Sequence, residues 1–91
     1  MSLQLKLDRA IMIAFPPFED IKKIKLYSYI RNVISSKLYV VKDGKLRFEI
    51  LYSTTDLLND IASLLQVNPE SVEIDHGDFT GIIITIPLSE F

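Results

Sequence analysis

The fold is decided by the stretch Leu38–Tyr52, which reads LYVVKDGKLRFEILY. Two runs rich in β-branched and aromatic residues flank Asp43-Gly44, a dipeptide that favours the positive φ angles of a type I′ turn. A two-residue turn pairs Lys42 with Lys45 and so fixes the register of a β-hairpin with two distinct faces. The predicted core face has Tyr39, Val41, Leu46, Phe48, Ile50 and Tyr52, and the opposite face has Val40, Arg47, Glu49 and Leu51.

The first segment of the chain alternates apolar and polar residues. Apolar side chains occupy the odd positions from Leu3 to Leu7 and again from Ile11 to Phe15. Alternation with a period of two is typical of a strand. Pro16-Pro17 would end that strand, because proline lacks the N–H that a sheet ladder requires. We therefore expect one long strand over residues 3–15.

Residues 18–37 contain neither glycine nor proline, and they begin with Glu19 and Asp20 before they become basic. This order of charges complements a helix dipole and predicts a helix. The segment Ile24–Ile30 also alternates well enough to fit a strand, and this alternative stays open.

The second half of the chain predicts one helix and two short strands. Ser53–Asp56 offers N-capping side chains, and the leucines that follow repeat at helical spacing, which predicts a helix over about residues 55–66. Asn68-Pro69 would end this helix, and a strand near Ile74 and another over residues 79–88 follow.

The predicted order of elements is β-α-β-β-α-β-β. This order contains the split β-α-β pattern of ferredoxin-like folds plus one extra C-terminal strand. We expect a single α+β domain over residues 1–91, with an antiparallel sheet that two helices cover on one face and leave open on the other.

Charge is divided unevenly along the chain. All ten basic residues lie in residues 1–47 with four acidic ones, a formal charge of +6, whereas residues 48–91 carry eight acidic residues and a charge of −8. This asymmetry would place a basic edge, with Lys42 and Lys45, opposite an acidic edge with Glu73, Asp75 and Asp78. Alternatively, two halves of one fold simply attract each other, and the lysines only guard an edge strand against aggregation.

Composition excludes several kinds of chemistry. The chain has no cysteine and one histidine, His76, which excludes disulfides, thiolate nucleophiles and Cys-ligated metals. The three glycines do not form a phosphate-binding loop that opens a helix. Acidic residues surround His76, but strand alternation places Glu73 and Asp75 on the face opposite to it. We predict a non-catalytic protein with no cofactor and no metal site.

No apolar run approaches the ~20 residues of a membrane-spanning helix. The first residues also lack the basic and apolar regions of a secretory signal. We expect a soluble, cytoplasmic protein with no membrane partner.

The open sheet face is the predicted contact surface. Its apolar residues would be Met12, Val40, Leu51 and Ile83. Contiguous apolar surface on a small domain often marks an interface, although single exposed apolar side chains are ordinary. We expect a self-associating module or a small subunit of a larger assembly, with a homo-oligomer or another protein as partner.

The alternative is a sequence-nonspecific nucleic-acid-binding protein that uses the helix 18–37 and the hairpin tip 42–47. Its basic patch would contain Lys22, Lys23, Lys25, Lys42, Lys45 and Arg47. Such side chains contact phosphates without reading sequence. The aromatic residues that stack bases in RNA-recognition domains have no counterpart on the open face, since Phe48 and Tyr52 share the core face.

Overall fold

A computed structural model describes residues 2–13, 20–77 and 81–91. Within these residues the chain forms three α-helices and a four-stranded antiparallel sheet, so the protein is a small α+β domain. In chain order the elements are α1 (Leu3–Ile13), α2 (Ile21–Ser35), β1 (Val40–Lys42), β2 (Lys45–Ile50), α3 (Leu57–Leu65), β3 (Glu73–His76) and β4 (Ile82–Pro87), with single 3₁₀ turns at Pro69–Ser71 and Leu88–Glu90. None of the helices in the described segments is long and apolar enough to cross a membrane.

The first element is the helix α1, and the predicted strand is wrong over residues 3–13. Leu3, Leu7 and Ile11 are four residues apart, so they fit one face of a helix as well as the odd phase of a strand. Leu5 distinguishes the helix from the strand, because a strand would bury Leu5 together with Leu7. Leu5 is 46% exposed, whereas Leu7 is fully buried. The segment before Ile11 also lacks β-branched side chains and is rich in strong helix formers. The last two residues of the predicted strand lie outside the described residues.

The helix α2 confirms the second predicted element and removes the strand alternative for its middle. An Asp20 carboxylate oxygen accepts a hydrogen bond from a first-turn backbone N–H at 2.9 Å and so caps the helix. Ile21 and Ile24 are 67% and 43% exposed, and the buried face of the helix begins at Leu26. The Tyr27 hydroxyl donates a hydrogen bond of 2.7 Å to the Ile11 carbonyl. This bond ties α2 to the last turn of α1, where helix carbonyls lack intrahelical donors.

The sheet has the strand order β1-β2-β4-β3, and every neighbouring pair is antiparallel. The predicted hairpin is confirmed: Asp43 and Gly44 have φ angles of 55° and 72°, and Lys42 pairs with Lys45. Since β4 pairs with both β2 and β3, these two strands run parallel to each other and α3 connects them. The ferredoxin-like order is not confirmed, because the described chain begins with two helices and its sheet has four strands instead of five.

One face of the sheet shares a hydrophobic core with all three helices, where two were expected. The buried residues that the sheet contributes are Leu46, Phe48, Ile50, Ile82, Ile84 and Ile86. They alternate along β2 and β4 with exposed or half-buried residues, which is the pattern of a sheet with one covered face. Tyr39 and Tyr52 pack against this core as predicted, whereas Val41, on the edge strand β1, is 48% exposed.

The helix α3 lies within the predicted range, and the leucines at helical spacing supply most of its buried side chains. Its buried residues are Leu57, Ile61, Ala62, Leu64 and Leu65. The Thr54 hydroxyl donates a hydrogen bond of 2.6 Å to the Asp60 carboxylate and does not cap the helix end. The helix ends at Gln66, which has the left-handed angles φ 56° and ψ 48°.

Candidate functional site

The second face of the sheet is covered by no helix or strand that the structure describes. Residues paired across neighbouring strands share a face, so the registers define this surface, which we call the open face. The open face consists of Val40 and Lys42 from β1, Lys45, Arg47 and Glu49 from β2, Ile83, Thr85 and Pro87 from β4, and Glu73 and Asp75 from β3. Its side chains are exposed on β1, β2 and β3 and half-buried on β4.

Charge is segregated across the open face. The strand order places the hairpin at one side of the sheet and β3 at the other. We call Lys42, Lys45 and Arg47 the basic edge, and Glu73 and Asp75 the acidic edge. Thr85 separates Arg47 from Glu73 in one row of paired residues, so the backbones of these two residues are about 9.6 Å apart, twice the strand spacing. The sequence predicts this separation of the hairpin lysines from Glu73 and Asp75. Glu49 is the exception on the open face, because it lies on β2 two residues after Arg47.

The charged groups of the two edges are largely unpaired within the described part of the chain. Asp75 accepts a hydrogen bond of 2.9 Å from the backbone N–H of His76. The other four side chains form no hydrogen bond or ion pair with a described residue. The ion pair that the described residues do form joins Lys23 to Asp60 at 3.5 Å, in the helical layer. Asp78, also expected on the acidic edge, lies outside the described residues.

A depression of about 570 Å³ opens on this face. It is lined by Val40, Lys42, Asp43, Lys45, Arg47, Glu73 and Thr85. These residues offer ammonium, guanidinium and hydroxyl donors together with two carboxylates. Such groups can bind charged or polar groups of a partner through ion pairs and hydrogen bonds. Sequence reasoning missed the approach of Thr85 to Arg47, because the pairing of β2 with β4 creates it and no local pattern indicates which strands pair.

The predicted apolar stripe is not assembled on the open face. Val40 is 60% exposed there, and Ile83 is half-buried between Glu49 and Asp75. Leu51 is 63% exposed in the bend after β2. Met12 is 76% exposed but belongs to α1, so its expected place on the sheet is wrong. The mistaken strand assignment is the reason, because it assigned a helical residue to the sheet.

The predicted basic patch is divided between the two sides of the molecule. Lys42, Lys45 and Arg47 lie on the open face, whereas Lys22, Lys23 and Lys25 lie on α2, which packs on the covered face. The sheet separates the two groups. Lys23 is also half-buried and pairs with Asp60. The basic patch on the open face is therefore reduced to Lys42, Lys45 and Arg47.

The acidic residues near His76 do not converge with it. His76 pairs with Ile82 of the covered face, whereas Glu73 and Asp75 pair with residues of the open face. Across residues 2–13, 20–77 and 81–91, no group of three or more histidine, aspartate or glutamate side chains is placed to hold a metal ion.

The open face thus has the chemistry of a binding surface with two oppositely charged sides. Comparison of the chain with protein-family models, with curated proteins and with solved structures gives no match. The assignment of this site therefore depends on its geometry and charge.

Proposed function

We propose that the protein is a non-catalytic interaction module that contacts another protein subunit through the open face. The observation that carries the proposal is the open face itself, since no described element covers it and its charges are unpaired within the described residues apart from the local bond to Asp75. A sheet that buries one face against helices leaves the other free for contact.

The distribution of charge supports a specific partner. Segregated charges steer the approach of a partner and disfavour partners with a mismatched pattern. The exposed Val40 and the half-buried Ile83 add apolar area between the charged groups. Neither residue alone exceeds what an ordinary surface carries, so the charges are the main determinant of the contact.

Photo-crosslinking tests this proposal in cells that produce the protein. A photo-crosslinking amino acid at Val40, on the open face, is expected to give covalent adducts with a protein identified by mass spectrometry. The same amino acid at Asn59, an exposed position on α3, is the matched control and is expected to give none. A second copy of the chain or a different protein at Val40 supports the proposal. Equal yields at both positions, or none at Val40, contradict it.

Binding of nucleic acid through the hairpin is a second candidate, which the clustering of Lys42, Lys45 and Arg47 around the depression favours. Three cations would contact phosphates in a salt-dependent manner. Glu73 in the same depression weighs against it. Fluorescence anisotropy with labelled single-stranded and duplex DNA at low salt tests this candidate. Loss of binding in Lys42→Ala/Lys45→Ala, but not in Lys22→Ala/Lys25→Ala, would support it, and no binding by the unmodified protein would remove it.

A further inference from the structure

We infer that a second copy of this chain covers the open face and packs face to face about a two-fold axis that runs parallel to the strands. The inference rests on the proposed function and names the partner of the same surface. Its basis is the order in which the charges lie across the sheet.

The orientation of the axis follows from symmetry. In a symmetric face-to-face pair the two-fold axis lies in the plane between the two faces. An axis that is parallel to the strands and centred between β2 and β4 places β1 of one copy over β3 of the other, and β2 over β4. This rotation keeps the position along the strands, so Glu73 of each copy lies over Val40 of the other copy, one strand spacing from Arg47. This contact occurs twice. Asp75 lies one strand spacing from Glu49 of the other copy, so Glu73 supplies the main attraction. An axis perpendicular to the strands would place β1 over β1 and β3 over β3, so neither edge would meet its opposite, and only Lys45 and Glu49 of β2 could pair.

A partner of one charge sign would satisfy only half of the surface. A polyanion such as nucleic acid would contact the basic edge, and the acidic edge about 14 Å away across the sheet, three strand spacings from β1, would repel it. A partner that binds both edges needs negative groups opposite the basic edge and positive groups opposite the acidic edge. A second copy rotated about this axis presents that pattern because of the symmetry alone.

The dimensions of the face allow the contact and limit its strength. Packed sheets lie about 10 Å apart with their strands aligned to within about 30°, a gap that Lys and Arg side chains can span towards a carboxylate. Four strands of up to six residues give a face of about 19 Å by 20 Å. The area of this face is smaller than the about 800 Å² that a standard interface buries on each partner. We therefore expect a weak pair that depends on concentration and on salt.

Exchange of charges tests the arrangement directly. The first variant, Lys42→Glu/Lys45→Glu/Arg47→Glu, makes both edges acidic, and the second, Glu73→Lys/Asp75→Lys, makes both edges basic. Light scattering at low ionic strength is expected to give the unmodified protein twice the mass of the single chain and each variant the mass of one chain. An equimolar mixture of the two variants is expected to regain the doubled mass, because every edge then meets its opposite.

A third variant controls for attraction between net charges. Lys22→Glu/Lys25→Glu/Arg31→Glu changes the net charge by the same amount as the first variant, at exposed positions of α2. It is expected to retain the doubled mass by itself. Mixed with the second variant, it is expected to leave that variant at the mass of one chain.

Three results would overturn the inference. They are a single-chain mass for the unmodified protein at every concentration, a doubled mass that either charge-exchange variant retains alone, and a mixture that stays at the single-chain mass. If any of these occurs while Val40 crosslinks to a different protein, the proposed function stands and only the identity of the partner is wrong. If Val40 also gives no adduct, both fail.

Discussion

Gln66 ends α3 in a backbone conformation that suits glycine better than any other residue. Its φ of 56° and ψ of 48° lie in the left-handed region, where a side chain places Cβ too close to the following carbonyl. The side chain of Gln66 is exposed and forms no hydrogen bond with a described residue. The residue therefore carries backbone strain that no side-chain hydrogen bond to a described residue offsets.

Gln66→Gly is expected to raise the free energy of unfolding by about 0.5 kcal/mol. Glycine removes the strain of the left-handed region but loses more backbone entropy on folding, so the net gain is small. Urea denaturation measures it, with Gln66→Ala as the control that keeps a Cβ. A glycine variant less stable than the alanine variant would contradict the strained helix end.

At the scale of single elements, α1 shows where a pattern of apolar residues fails to distinguish helix from strand. Leu3, Leu7 and Ile11 satisfy both periods. The absence of β-branched residues before Ile11 was the signal that favoured a helix. The hairpin and α3 were predictable, because a two-residue turn and leucines at helical spacing are local signals.

A pair of alanine substitutions separates the helix from the strand in solution. Leu7→Ala is expected to lower the free energy of unfolding by about 3 kcal/mol, since it leaves a cavity in the core. Leu5→Ala is expected to cost less than about 1 kcal/mol, because Leu5 is half exposed. A strand with both residues on its core face would lose similar amounts from each, so equal losses in chemical denaturation would contradict α1.

At the scale of the whole molecule, the charges of the sequence become a pattern in space only through the strand order. The uneven distribution of Lys, Arg, Asp and Glu along the chain is visible in the sequence. The order β1-β2-β4-β3 then sends the hairpin and β3 to opposite sides of one face. That order depends on the pairing of β2 with β4, residues more than 30 positions apart, and long-range pairing has no local signature. The apolar stripe expected on this face is not assembled for a different reason, because Met12 belongs to the helix α1 and not to a strand of the sheet.

The central claim is that charge on the open face holds this protein to a second copy of itself, and the mass of the unmodified protein in solution tests it most directly. Light scattering is measured over a series of concentrations at low ionic strength and again at high ionic strength. We expect a mass that approaches twice that of the single chain at low salt, and that falls towards the single chain as salt shortens the Debye length to about 3 Å near 1 M. A single-chain mass at every concentration, or a doubled mass that high salt leaves unchanged, would contradict a contact held by these charges.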